Sequence, residues 1–228
     1  MKAAYLNQGR EVGINRVYDA PTQATIAGLF DLYPAVYTKE DVLCDRLADV
    51  EVLFSTWGFP VMTDEEISTH LPNLKVVFYG AGSVQAFARP LIRNGVTVVS
   101  AWMANSVPVI EYTVAQIILA NKGYFGASRL CSRDAASRQA ATTHFGSFRG
   151  NYDTPVGLIG LGAIGAGVAQ RLRDYRLRVY AYDPYCTPEK AEALGVILTD
   201  LETIFETCLT VSNHTPNIPA TRGMLTYA

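Results

Sequence analysis

Residues 156–165 read VGLIGLGAIG, and this stretch decides the fold. Within it, Gly160-Leu161-Gly162-Ala163-Ile164-Gly165 fits the spacing G-x-G-x-x-G. The spacing alone is weak, because glycine turns also serve packing. Its surroundings strengthen it. An apolar stretch with strand character precedes it at 155–159, an alanine-rich helical pattern follows at 163–174, and Asp183 ends the next apolar stretch, 23 residues after Gly160. The first glycine permits a tight turn, the second lets a diphosphate approach the backbone, and the third lets helix and strand pack closely. Free N–H groups at the helix start, around Ala163, Ile164 and Gly165, and the helix dipole then favour an anion. Asp183 can accept hydrogen bonds from both hydroxyls of an adenosine ribose and would repel a 2′-phosphate, which favours NAD over NADP. The plainer reading makes Asp183 a strand-end turn residue ahead of Pro184.

Outward from this motif the same alternation continues. Strand patterns at 177–182, 196–198 and 209–212 alternate with helical ones at 188–194 and 201–206, so a Rossmann domain is expected over 151–228. It is incomplete, since a doubly wound sheet continues with strands five and six, and 209–212 would be left as an open edge. Upstream, apolar runs at 3–6, 35–37, 50–55, 74–80 and 95–99 alternate with helical patterns at 22–32, 39–48 and 64–71. That predicts a flavodoxin-like unit with a parallel sheet over 1–103. Between the two, Ile110, Val114, Ile117 and Ile118 form one stripe of a long helix at 107–122, and the polar stretch 122–150 reads as the helix end plus a loop. An α/β protein of two domains results, with 104–150 as interdomain helix and linker and the boundary inside 122–150.

The composition is that of a globular protein: 49% hydrophobic and 18% charged residues exclude extended disorder. A net charge of −2 gives no electrostatic reason to expect nucleic acid or an anionic membrane as partner. No targeting segment is expected, and Glu111 and Gln116 interrupt the apolar run at 107–120, which argues against a bilayer span. Cys44, Cys131, Cys186 and Cys208 are scattered, as in a reduced cytoplasmic protein, and with His70, His144 and His214 isolated no metal site is expected.

Four stretches carry a more specific signal. They are LPNLKVVFYGAGSV at 71–84, ANSVPVIEYTVAQIILA at 104–120, VGLIGLGAIG with YDPY at 182–185, and SNHTPNIPATRGML at 212–225. In this order they resemble the D-isomer-specific 2-hydroxyacid dehydrogenases over essentially the whole chain. The resemblance implies a substrate domain built from both chain ends, with a nucleotide domain inserted. It places Gly80, Ala81 and Gly82 in the loop whose N–H groups receive the substrate carboxylate, with Ala81 beside the nicotinamide. A small-residue turn at the carboxyl end of a parallel strand suits that task, though it also suits a plain turn. Glu111 and Thr113 match the family's V-A-E-x-T pattern, here VIEYT, in hinge packing or ligand contact. Thr215 and Pro216, with Thr221, match the cofactor loop H-x-P-x-x-x-x-T, which makes His214 a loop residue rather than a proton donor.

The implied reaction moves hydride between NAD(H) and a small 2-hydroxy or 2-keto acid. It needs hydride from C4 of nicotinamide, a cation at the carbonyl oxygen and a proton donor. The family's arginine, glutamate and histidine for these tasks fall beyond residue 228, so no catalytic residue is expected here. The 228 residues are expected to be an inactive piece of a longer enzyme. Arg222-Gly223 matches a T-R-G helix start and is not expected to substitute. The alternative is a non-catalytic NAD-sensing or interaction protein on the same scaffold; S-adenosylmethionine binding would leave GAGSV and VIEYT unexplained. A homodimer is implied, paired through the nucleotide domain and the long helix. Trp57, Phe59 and Trp102 are candidates for lining the substrate pocket or for core packing.

Overall fold

The structure, a computed structural model, describes residues 1–226. The chain divides into two compact units, Met1–Asn105 and Ser106–Ala228.

The first unit runs β1 (Lys2–Leu6), α1 (Arg10–Ile14), α2 (Ala20–Leu29), β2 (Asp31–Tyr37), α3 (Lys39–Leu43), β3 (Val52–Ser55), α4 (Asp64–His70), β4 (Val76–Tyr79), α5 (Ala88–Arg93) and β5 (Thr97–Ser100). Its sheet is parallel, in the flavodoxin order β2-β1-β3-β4-β5. Alternate strand residues supply two cores. Ala4, Leu6, Leu53 and Val77 face one, with Val42 and Leu91, while Ala3, Tyr5, Val52 and Phe54 face the other, with Ile14 and Tyr18. A sheet buried on both faces gives the unbroken apolar runs seen in the sequence.

Two helices are shorter than their sequence patterns. The one expected at 22–32 starts at Ala20, where Asp19 caps Thr22 N–H at 2.9 Å, and stops at Leu29 because Asp31 and Leu32 pair with Lys2 and Ala3. Pro34 disguised that strand; proline is tolerated because β2 is an edge. The helix expected at 39–48 ends at Leu43, as Asp45 adopts a positive φ of 58°.

The second unit takes in most of α6 (Trp102–Ala120) and then α7 (Tyr124–Leu130), α8 (Ala135–Gly146), β6 (Thr154–Ile159), α9 (Ala163–Leu172), β7 (Leu177–Tyr182), α10 (Pro188–Leu194), β8 (Ile197–Leu198), α11 (Leu201–Thr207) and β9 (Thr210–Asn213). The loop expected after the long helix is instead a helical pair, α7 and α8, the second capped by Asp134, which accepts from Ser137 N–H at 2.8 Å. The division at Asn105 also moves the boundary upstream of 122–150. Ile110 and Ile117 of α6 bury against Val156, Leu158 and Val168, and Asn121 joins Thr210 at 2.6 Å and Asn151 at 3.0 Å. With its start at Trp102, α6 is long and apolar enough by length and composition to cross a bilayer. The sequence argument from Glu111 and Gln116 therefore fails, while Ile110 and Ile117 of this helix are buried in the core of the second unit.

The second sheet is parallel, ordered β8-β7-β6-β9. The strand order turns back at β6, since the chain runs from β6 to β7 and β8 on one side and then returns to β9 on the other, all strands staying parallel. That point opens a crevice at the carboxyl ends of the strands.

Candidate functional site

The crevice is a cavity of about 440 Å3 whose lining includes Gly160, Leu161, Gly162, Asp183, Tyr185, Lys190, His214, Thr215, Pro216 and Thr221. Gly160, at φ 87°, turns the chain out of β6; a Cβ there would lie 3.2 Å from the His214 carbonyl carbon and from Thr215 N. Gly165 sits in the first turn of α9, where a Cβ would meet the Gly160 carbonyl oxygen at 1.9 Å. The space beside Gly162 is open: a Cβ there meets nothing within 4 Å. Gly162 is the N-cap of α9 and no side chain caps that end, so Ala163, Ile164 and Gly165 begin the helix with N–H groups free of helical acceptors. An open cradle faced by such donors fits an anion the size of a diphosphate.

The turn is clamped on both sides of one residue. Leu161, itself buried, donates its N–H to Asp183 Oδ2 at 2.6 Å and accepts from Lys190 Nζ at 2.8 Å through its carbonyl. Asp183 Oδ1 accepts from Tyr185 N–H at 2.8 Å. Each carboxylate oxygen keeps a lone pair for a further donor, as ribose hydroxyls require. The plainer reading of Asp183 as a turn residue is thus part of the answer, since it shapes the turn and still lines the cavity.

Across the crevice, His214 N–H donates to Ile159 carbonyl at 2.7 Å, extending the β6–β9 pairing. Its Nε2 is buried and unpartnered among the described residues, and burial holds the imidazole below its ordinary pKa, as the neutral ring. That is a polar atom waiting for a partner in the cavity wall. Thr221 Oγ1 donates to the Pro216 carbonyl and accepts from Ile218 N–H at 3.2 Å, which closes the loop over the crevice. Arg222 Nε donates to Asn217 Oδ1 at 3.1 Å and so serves the same loop.

The structure therefore brings Gly160, Gly162, Asp183, Thr215 and Pro216 together, and sets Ala163, Ile164 and Gly165 behind them in the helix start. Sequence reasoning missed Lys190. A signal was present: it stands three residues after Thr187, the N-cap of α10, where a cation opposes the helix dipole and a glutamate is expected.

In the first unit, Gly80 follows β4 and donates to the Ser55 carbonyl at 2.8 Å. A Cβ on Gly80 would meet Val17 Cγ1 at 2.8 Å and Tyr18 Oη at 3.1 Å, and one on Gly82 would meet Asn105 Nδ2 at 2.7 Å. Ser100 Oγ donates to the carbonyls of Ala81 and Gly82 at 3.0 and 2.6 Å. Ala81 is wholly buried in the core, so the partly exposed surface of this turn belongs to Gly80 and Gly82. Phe59 is buried against Phe87, which makes it a core residue, whereas Trp57 and Trp102 are half-exposed.

A glycine turn between parallel strand and helix, closed by a carboxylate at the end of the neighbouring strand, defines a Rossmann dinucleotide-binding domain. Residues 123–228 match the family described as D-isomer specific 2-hydroxyacid dehydrogenase, NAD binding domain, and this part of the chain belongs to that family. It is 32% identical to D-3-phosphoglycerate dehydrogenase of Mycobacterium tuberculosis over 165 residues, which are 71% of this chain and 30% of that enzyme. The Bacillus subtilis enzyme of the same name is 29% identical over 162 residues, again 71% of this chain and 30% of the relative. The chain thus spans about 30% of the length of these curated relatives. Among solved structures, the apo form of Rhodotorula graminis D-mandelate dehydrogenase aligns at TM-score 0.79 and 18% identity, covering 98% of this chain and 68% of that one. NAD-dependent formate dehydrogenase from Staphylococcus aureus in complex with NAD aligns at TM-score 0.67 and 21% identity, covering 97% and 67%. At these identities the structural likeness is one of fold.

Proposed function

We propose that this chain serves an NAD-dependent oxidoreductase that moves hydride between NAD(H) and a small 2-hydroxy or 2-keto acid. The observation that carries the reading is the clamped turn, Leu161 held between Asp183 and Lys190 beside an open cradle at Gly162. In this reading the N–H groups of Ala163, Ile164 and Gly165 hold the diphosphate. Asp183 accepts from the adenosine ribose hydroxyls with its free lone pairs, and its charge excludes a 2′-phosphate. Thr215 and Pro216 shape the loop along the dinucleotide, and His214, neutral, offers Nε2 to it. Bound NAD supplies the nicotinamide C4 that gives or takes hydride. Gly80 and Gly82 offer the backbone surface on which a substrate carboxylate is received, with Ala81 beneath it.

The protein is further proposed to act as a homodimer in a reducing, cytoplasmic setting, apart from membrane and nucleic acid. In support, α7 and α8 expose Tyr124 and Phe145 around a cavity of about 780 Å3, Leu130 is exposed on the same pair, and all four cysteines are free. Fluorescence titration with NADH and NADPH tests the cofactor reading, and light scattering tests the dimer. Saturable binding of NADH in clear preference to NADPH, with NADH oxidation by some 2-keto acid in the full protein, is expected. Binding of neither nucleotide would overturn the proposal.

A further inference from the structure

The dinucleotide crevice holds two opposite charges that do not pair with each other. Asp183 and Lys190 are the only aspartate, glutamate, lysine or arginine among the described residues that line it, and neither joins an ion pair among the described residues. Both are bonded to one residue instead. The Leu161 N–H goes to Asp183 Oδ2 at 2.6 Å, and the Leu161 carbonyl takes Lys190 Nζ at 2.8 Å. Carboxylate and ammonium therefore flank the same residue of the glycine turn.

The ammonium has capacity to spare. It carries three donors, and the Leu161 carbonyl is its one acceptor among the described residues. The backbone of Lys190 is fixed, with its N–H on Thr187 Oγ1 at 3.3 Å, while its four-carbon stem lets the head turn to another acceptor. Lys190 also stands in the first turn of α10, where a cation opposes the helix dipole, and an anion beside it relieves that cost. A crevice with Asp183 alone would turn a 2′-phosphate away. Here the only cation of the lining lies one residue's width from that carboxylate and offsets it.

We infer that Lys190 is a specificity-determining residue of this crevice: its ammonium pairs with the 2′-phosphate of NADPH, so that NADPH is bound as well, less tightly than NADH. The weaker binding follows from the geometry, because the pairing gives up the Leu161 carbonyl and leaves Asp183 beside the phosphate. The inference rests on the reading of the crevice as a dinucleotide site.

Fluorescence titration of the whole chain with NADH and NADPH tests it, in wild type, Lys190→Met and Lys190→Arg. Calorimetry with adenosine 2′,5′-bisphosphate and with AMP probes the adenosine end alone. Wild type should bind both dinucleotides. Lys190→Met should weaken NADPH about tenfold more than it weakens NADH, the worth of one charged hydrogen bond. The bisphosphate should show the same extra loss relative to AMP, and Lys190→Arg, which keeps the charge, should keep NADPH binding. A lysine that only clamps the turn would weaken both dinucleotides alike. That unchanged ratio, or binding of NADH without NADPH by wild type, would overturn the inference and leave the dinucleotide reading standing. Binding of neither would overturn that reading and the inference with it.

Discussion

The Leu161 amide and the Asp183 carboxylate are joined at 2.6 Å, so the glycine turn after β6 and the acid at the end of β7 form one rigid piece. Because Asp183 both shapes the turn and faces the cavity, Asp183→Ala removes two tasks at once. NADH affinity should fall about tenfold to a hundredfold, as for loss of charge-assisted hydrogen bonds. The preference for NADH over NADPH should narrow, since the repulsion of a 2′-phosphate goes with the carboxylate. Parallel titrations with both nucleotides check this, and an unchanged ratio would refute the specificity role.

Lys190 holds the same residue from the other side, through the Leu161 carbonyl at 2.8 Å. Lys190→Met keeps the stem and removes the donor. We expect about threefold to tenfold weaker NADH binding, less than the full worth of one charged hydrogen bond because Lys190 acts on the nucleotide through the turn, with the melting temperature little changed. A larger loss of stability than of affinity would make Lys190 a scaffold residue only.

At Gly165 the constraint is steric. A Cβ placed 1.9 Å from the Gly160 carbonyl oxygen meets backbone, which cannot swing away. Gly165→Ala should cost about 3 kcal/mol, at the upper end for overpacking, and urea unfolding reads it directly. Stability equal to wild type would mean the helix start can shift without loss.

His214 gives a pH dependence whose sign is definite. Burial lowers its pKa in the folded chain. As pH falls below about 6.5 the unfolded chain takes up the proton first, and the folded state loses stability until the lowered value is passed. The contribution is complete above about pH 6.5. Wild type should therefore lose more melting temperature than His214→Gln between about pH 7.5 and about pH 5.5. Parallel curves for the two proteins would show that this imidazole does not titrate as described.

Much of this was legible in the amino-acid order, for physical reasons. Strands buried on both faces write unbroken apolar runs, and a turn that must pass Gly160 and clear Gly165 writes its spacing in glycine. The features that escaped write weakly. The pair α7 and α8 buries only alanines, Ala127 and Ala141, so its stripe is faint in a polar segment. Pro34 hid half of β2, since nothing local says that this strand lies on an edge. Lys190 reaches its carbonyl across 29 residues, a relationship that only the fold creates. The burial of Ala81 likewise depends on Ser100 and the core beneath it.

The most direct test of the whole account is NADH binding by Gly162→Asp. The position has φ −69°, open surroundings and the N-cap of α9, where aspartate is a favoured residue, so the fold should be as stable as wild type or slightly more so. The new carboxylate would stand where the diphosphate must rest, and the prediction is a folded protein with no measurable NADH binding. A folded Gly162→Asp protein that binds NADH as tightly as wild type would contradict the account.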